Sequence, residues 1–315
     1  MKSAKNIYSQ FCEKSKQPLI FQTPLWLDAV AGPDNWDVVL AYQGDFLSGV
    51  FPYVTKKKFG LNQITLPFLT PYLGPIFKFP QDLLESNKLS FKKKTLESLI
   101  NQLPNTDRFI TQTDFNFDYW LPFYWQGFKQ TTRYSFILET HKTEEQLLSN
   151  CKPSIKKQIR KASAIYTLRK GSDISTLYDL HQKDLTSKKI QISFTKEELN
   201  RLDQILKNNN SREIIEATDN EGNIICAFYI VFDNCFAHYL IGAVDSSHRN
   251  SGIMSLLMWE AITLAKSKGL SFNFEGSMNK NIERFFTSFG SFPKPYMQIT
   301  KTSNKWLKEF TRFNH

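Results

Sequence analysis

His238-Tyr-Leu-Ile-Gly-Ala-Val-Asp245 is followed by Ser246-Ser-His-Arg-Asn-Ser-Gly252, an apolar run from Ile253 to Lys268, Gly269, and then Leu270-Ser-Phe-Asn-Phe-Glu275. The first block is rich in β-branched and aromatic residues and reads as a strand. The second is a polar turn. The third carries apolar residues at helical spacing and stops at a glycine, so it reads as an amphipathic helix. The fourth is a second strand. A strand–loop–helix–strand unit of this kind pairs its two strands in parallel through a right-handed crossover. Its loop sits at a helix N-terminus, where free backbone N–H groups and the helix dipole suit a pyrophosphate. Arg249 adds a charge-assisted donor, and Gly252 permits close backbone approach.

Upstream, Arg212 to Thr218, a turn at Asp219-Asn-Glu-Gly-Asn223, and Ile224 to Phe232 read as two antiparallel strands leading into a third from Cys235 to Val244. The same order occurs near the start: Trp36 to Tyr42, a Gln43-Gly44-Asp45 turn, Phe46 to Val54, and a further strand from Phe59 onward. Two meanders in the same order, each preceded by helical sequence, point to a duplicated α/β domain. Between them lies charged helical sequence. Thr143-Glu-Glu-Gln146 is a capping box, Pro153 restarts a helix to Ala164, and residues 173–190 and 195–208 read as two more helices. The expected domains are 1–140 and 141–315. Downstream, Asn279 to Phe289 reads as a short helix and Pro295 to Lys301 as a last strand.

A length of 315 residues fits two domains, each large enough to bury a core without staples. The 27 Phe, 12 Tyr and 6 Trp exclude a disordered chain. Forty basic against 30 acidic residues leave +10, which favours anionic partners. Cys12, Cys151, Cys226 and Cys235 form no C-x-x-C pair, so neither a metal site nor a disulfide framework is expected. The opening residues lack the apolar core of a signal peptide, and a cytoplasmic location is expected. Residues 59–77 are uncharged, but Pro67, Pro71 and Pro75 would break a membrane helix. They read as an extended segment packed beside a sheet.

Arg249-x-x-Gly252 before an amphipathic helix and after two hairpin strands resembles the acyl-CoA loop of the GNAT N-acyltransferase superfamily. Phe272 to Met278, Ile282-Glu-Arg-Phe-Phe286 and Phe289-Gly290 resemble its Fem-type branch, as do Phe21 to Trp26 and the basic segment Lys152 to Lys161. The resemblance spans roughly residues 20–300. It implies an α/β (α+β) fold of two tandem GNAT-like domains, each a mixed, mainly antiparallel sheet flanked by helices. It further implies an N-acyltransferase that moves an acyl group from acyl-CoA, acetyl-CoA included, to a small-molecule amine of a cell-envelope or polysaccharide precursor, either free or diphosphate-linked. A Fem-type peptidyltransferase using aminoacyl-tRNA in peptidoglycan bridge formation stays open as an alternative, as does a catalytically inactive binding module.

In such a fold the two strands of the decisive unit splay apart. The pantetheine arm of the donor pairs with the free strand edge, at Ala243 and Val244, and the loop residues Arg249, Asn250, Ser251, Gly252 and Ile253 receive the phosphates. Gly242 suits a bulge that frees an N–H for the carbonyl. Glu275, at the end of the next strand, is the candidate proton acceptor, and Tyr239 and Tyr296 are candidate proton donors. His238 and His248 read as structural or solvated residues. Two positions depart from the pattern: Met254 stands where a second small residue is usual, and Phe286 where the superfamily often has a tyrosine. Lys152, Lys156 and Arg160 recur at i, i+4 and i+8, beside Lys157 and Lys161. Lys156 and Arg160 are the candidate contacts to a diphosphate or a tRNA backbone.

Overall fold

The computed structural model describes residues 3–15, 19–58 and 60–303. The chain divides into two compact units, one from residues up to Arg133 together with the segment from Pro295, the other from Tyr134 to Lys294.

The first half of the chain runs α1 (Ala4–Lys14), α2 (Pro24–Val30), β1 (Trp36–Gln43), β2 (Phe46–Lys58), β3 (Leu61–Thr65), β4 (Ile76–Phe77), α3 (Glu85–Gln102), β5 (Arg108–Gln112), α4 (Leu121–Trp125) and β6 (Lys129–Leu138). The second runs α5 (Glu144–Asn150), α6 (Pro153–Ser163), β7 (Thr167–Gly171), α7 (Ile174–Ser187), α8 (Lys196–Asn208), β8 (Arg212–Thr218), β9 (Ile224–Phe232), β10 (Phe236–Val244), α9 (Ile253–Ser267), β11 (Ser271–Gly276), α10 (Lys280–Thr287) and β12 (Phe292–Thr302). Local chemistry sets these bounds. Thr143 and Thr195 open α5 and α8 with complete capping boxes, and Asn279 accepts from the first turn of α10.

The repeat expected from the two meanders is present. In the first unit, β1, β2 and β3 are antiparallel neighbours, β3 lies parallel to β5, and β12 closes the row antiparallel to β5. In the second, β8, β9 and β10 are antiparallel neighbours, β10 lies parallel to β11, and β6 closes the row antiparallel to β11, with β7 on the far side of β8. The closing strands are exchanged. β6, which follows β5 and α4 in the chain, completes the second sheet, and β12, which follows β11 and α10, completes the first. The domain bounds expected from sequence, 1–140 and 141–315, therefore differ from the observed units at two strands, β6 and β12. The cause is the five rungs from Gln298–Gln112 to Thr302–Arg108, which tie β12 to β5.

Each unit has its own apolar core. In the second, Phe228, Ile230, Ala237, Leu257, Ile262 and Phe272 are buried between the sheet and α9. In the first, Phe51, Leu96, Leu99, Phe123 and Ile299 are fully buried beside α3 and α4. At about 25 cal/mol per Å² of apolar surface, such burial dominates the stability of each unit. Among the described residues no helix is long and apolar enough to cross a membrane.

Candidate functional site

The parallel pair β10/β11 holds together only at its start. Phe236, Ala237 and His238 face Ser271, Phe272 and Asn273, and the rungs end there. From Tyr239 onward β10 stays paired to β9, with a register shift between Tyr239 and Ile241, while β11 turns to β6. The strands thus part as expected, and the edge of β10 from Tyr239 to Val244 has no strand neighbour on the β11 side among the described residues.

The matching place in the first unit is filled. β3 and β5 share only the rungs Gln63–Arg108 and Ile64–Phe109. Beyond them the proline-rich segment folds back. The Leu73 N–H donates to the Gln112 carbonyl at 2.7 Å, and the Thr111 hydroxyl donates to the Leu73 carbonyl. Gly74 packs so closely that a Cβ there would meet Thr113 Cα at 3.1 Å. The extended segment expected beside a sheet is this plug.

At the fork in the second unit lies a buried charged group. His238, fully buried, directs Nδ1 to Glu275 Oε1 at 2.6 Å and Nε2 to Asp233 Oδ2 at 2.8 Å. Both ring nitrogens face carboxylates, so both donate and the ring is an imidazolium. Burial alone would depress its pKa, but Asp233 and Glu275 overcome that and push it up to about 9. Burial likewise opposes the charge on Asp233, yet His238 and the Cys235 and Phe236 N–H groups hold its carboxyl below the usual range. Asn273 Oδ1 accepts from Ser135 Oγ at 2.6 Å and from the Glu275 N–H at 2.9 Å. Glu275 itself has φ of 62°, a left-handed backbone that a side chain adopts at a cost of about 1 kcal/mol or more. It sits where the β11 register shifts, and the turned backbone brings its carboxylate back to His238. His238, read from sequence as structural or solvated, is the centre of this group.

The loop between β10 and α9 is tied down from two sides. Arg249 Nη2 donates to Asp184 Oδ1 at 2.6 Å, to the Asp184 carbonyl at 3.2 Å and to Ser187 Oγ, all at the end of α7. Asp184 is only 4% exposed and also takes Lys188 Nζ at 2.6 Å. The donor expected to meet a phosphate is therefore engaged by a buried carboxylate that no spacing in the sequence announces. Gly252 opens α9 with φ of 88°, and a Cβ there would come within 2.9 Å of the Gln158 carbonyl of α6. Ser255 Oγ donates to Gln158 Oε1 at 2.6 Å, so α6 lies against the start of α9. Ser251 Oγ donates to the His248 carbonyl, and Asn250 is exposed. Ala243, Val244 and Ile253 have buried side chains and offer only backbone.

On α6, Ile155, Ile159 and Ala162 face the core, and Lys152, Lys157, Arg160 and Lys161 are exposed. Lys156 is half-buried and donates to the Ser149 carbonyl at 3.1 Å. Tyr239 packs against Phe228 and Phe286, with ring centroids 4.7 and 6.3 Å apart, and burial pushes its phenol well up. A Cβ added at Gly242 would overlap the Tyr239 hydroxyl, which is why β10 has glycine there. Tyr296 lies in the segment that joins the first unit, stacked edge-on to Tyr72 at 5.1 Å.

A strand pair that forks beyond its first rungs, with a loop entering a helix at its side, is the observation that decides the fold. Residues 149–277 match the model of the acetyltransferase (GNAT) domain. The fold is a Fem-like tandem GNAT fold. A crystal structure of FemX superposes with a TM-score of 0.66 at 12% identity, over 94% of this chain and 96% of that one. A tandem GNAT protein from the clavulanic acid biosynthesis pathway gives 0.53 at 8% identity, over 94% and 92%. The C-terminal domain of a protein assigned as a lysylphosphatidylglycerol synthetase from Agrobacterium fabrum gives 0.54 at 10%, over 86% of each. No curated protein matches the chain in sequence. The match over this part of the chain supports acyltransferase as the broad functional class. Among the described residues no group of His, Cys, Asp and Glu side chains is arranged to hold a metal ion.

Sequence reasoning missed Asp184, His181 and Asp233. The first two lie on α7 at i and i+3 among other polar positions, and only the fold gives that spacing meaning.

Proposed function

We propose that this chain is an N-acyltransferase that uses acyl-CoA and acylates an amine at the fork between β10 and β11. The observation that carries the reading is the opening beyond His238–Asn273, whose counterpart in the first unit is plugged by Leu73 and Gly74. A thioester donor would supply the activated acyl carbonyl. The backbone of Ala243 and Val244 fits an extended donor arm added to the sheet edge. The backbone N–H groups of Asn250 to Ile253, at the start of α9, suit its phosphates. Arg249 contributes by holding that loop to α7.

Tyr239 remains protonated and stands against Phe286, so β10 supplies a hydroxyl where α10 has none. It donates a hydrogen bond to the leaving group. Glu275, 13% exposed at the end of β11, keeps a negative charge at the fork through its pair with His238 and attracts the acceptor's amine. The exposed cations of α6, with Arg160 and Lys156 at their centre, suit a diphosphate on a cell-envelope or polysaccharide precursor.

The commitment of Arg249 to Asp184 favours one second reading, in which the donor is an aminoacyl-tRNA and the basic face of α6 follows the nucleic-acid backbone. Thermal stability and acyl transfer, measured with acetyl-CoA, longer acyl-CoAs and charged tRNA, separate the two. A donor that binds only the folded chain raises the melting temperature. The expected result is a rise with an acyl-CoA and release of thiol when an amine is added. A rise with charged tRNA alone supports the second reading. No response to any donor leaves a binding module and overturns both.

A further inference from the structure

His181, on α7, takes no part in the reading so far. Its ring is half-buried, stacks on Phe194 with centroids 6.2 Å apart and planes 10° from parallel, and engages the backbone of Gly242. Gly242 lies beyond the last rung that β10 shares with β11. Nδ1 of the ring is buried and has no hydrogen-bond partner among the described residues. A buried nitrogen left in that state costs stability, which a structure tolerates where a ligand atom supplies the missing bond. The hydroxyl of Tyr239 lies over Gly242. The imidazole of His181 and the phenol of Tyr239 thus both lie beside Gly242.

We propose that His181 Nδ1 is the proton acceptor for the attacking amine. This rests on the acyltransferase reading above. The lone pair of the neutral amine forms the new C–N bond at the acyl carbon, and the bond from that carbon to the sulfur of a thioester, or to the oxygen of an ester, breaks. The electron pair leaves with the sulfur or oxygen. The proton lost from nitrogen goes to His181 Nδ1 and from there to the leaving group or to water.

The surroundings keep the ring neutral. Burial lowers its pKa below the ordinary 6.5, the Gly242 backbone and Asp184 oppose that, and Lys188 adds to the lowering. A neutral imidazole with a free acceptor is what the step needs. Glu275, by contrast, is held by an imidazolium at 2.6 Å.

The test measures thiol release from acetyl-CoA and amino-acid release from charged tRNA, with glucosamine and ethanolamine as probe amines. Donor affinity is read separately from thermal shifts. His181→Gln is expected to lower kcat by about 100-fold or more, the usual worth of a general base, with donor affinity unchanged. In wild type, activity should fall on the acid side through an apparent pKa below 6.5, and that limb should vanish in His181→Gln. His181→Ala should regain part of its rate with added imidazole, which a merely structural loss would not. If wild type transfers acyl groups and His181→Gln keeps its kcat and pH profile, the proposal is overturned while the acyltransferase reading stands. If imidazole restores nothing to a folded but inactive His181→Ala, the proposal is likewise overturned. If wild type transfers from neither donor, the acyltransferase reading fails and takes this role with it.

Discussion

At His238 two carboxylates outweigh burial, and the consequence is measurable as a pH dependence of stability. The folded state raises the imidazole pKa from 6.5 to about 9. His238 therefore contributes stability that is complete below 6.5 and is lost as the pH climbs through about 9. Asp233 acts in the opposite sense. Its pKa is lowered from 3.8, so its contribution is present above that value and disappears as acid protonates it. The urea midpoint should fall between pH 6.5 and 9.5, and His238→Gln should remove that decline while destabilising the protein by about 3–5 kcal/mol, because two buried carboxylates lose their cation. A decline that survives unchanged in His238→Gln would assign the titration elsewhere. Glu275 was legible in the sequence as a carboxylate ending a strand. Its partner was not, because His238 and Glu275 lie 37 residues apart and meet through the parallel pairing of β10 with β11.

Among the elements, the loop before α9 has the tightest fit. Gly252 combines a φ of 88° with the Gln158 carbonyl 2.9 Å from where a Cβ would sit. Gly44 offers a control, since its φ is 61° and nothing lies within 4 Å of its added Cβ. Gly44→Ala should cost about 1–2 kcal/mol, the ordinary penalty of a left-handed side chain. Gly252→Ala should cost more, because α6 must also move. Denaturant unfolding of the two variants checks this, and equal losses would mean that α6 does not press on the loop. The strands and their hairpins were readable from alternation and turn residues, since those signals are local. The plug was half readable: three prolines announced extended, packed chain, but its place beside β5 depends on rungs formed with residues some forty positions away. The partner of Arg249 went unannounced for a related reason. A basic residue at a helix start suggests a phosphate, and only the fold brings Asp184 of α7 within 2.6 Å of it.

For the whole molecule, the exchanged strands decide what can be removed. A chain ending at Lys294 lacks β12 and loses every rung from Gln298 to Thr302, together with the fully buried Ile299. Hydrogen exchange should then be fast at β5, residues 108–112, and remain slow in β9 and β10, whose pairing is untouched. Protection of β5 in the shortened chain would contradict the pairing. No local signal in the sequence reports this exchange. β6 and β12 each look like the natural close of their own half, and a pairing across nearly two hundred residues leaves no periodicity to read. By the same exchange Tyr296, on β12, belongs to the first unit.

The exchange also sets an order of completion during synthesis. Residues up to Arg133 leave the ribosome first, yet the sheet they form is the last to close, because β12 is made after the whole of the other unit. The unit from Tyr134 to Lys294 can finish while its predecessor still waits. At roughly 5–20 residues per second, that wait is on the order of 10–30 s. Throughout it β5 presents an open edge of N–H and C=O groups to neighbouring nascent chains, which makes this strand the point where a chaperone would have most to shield.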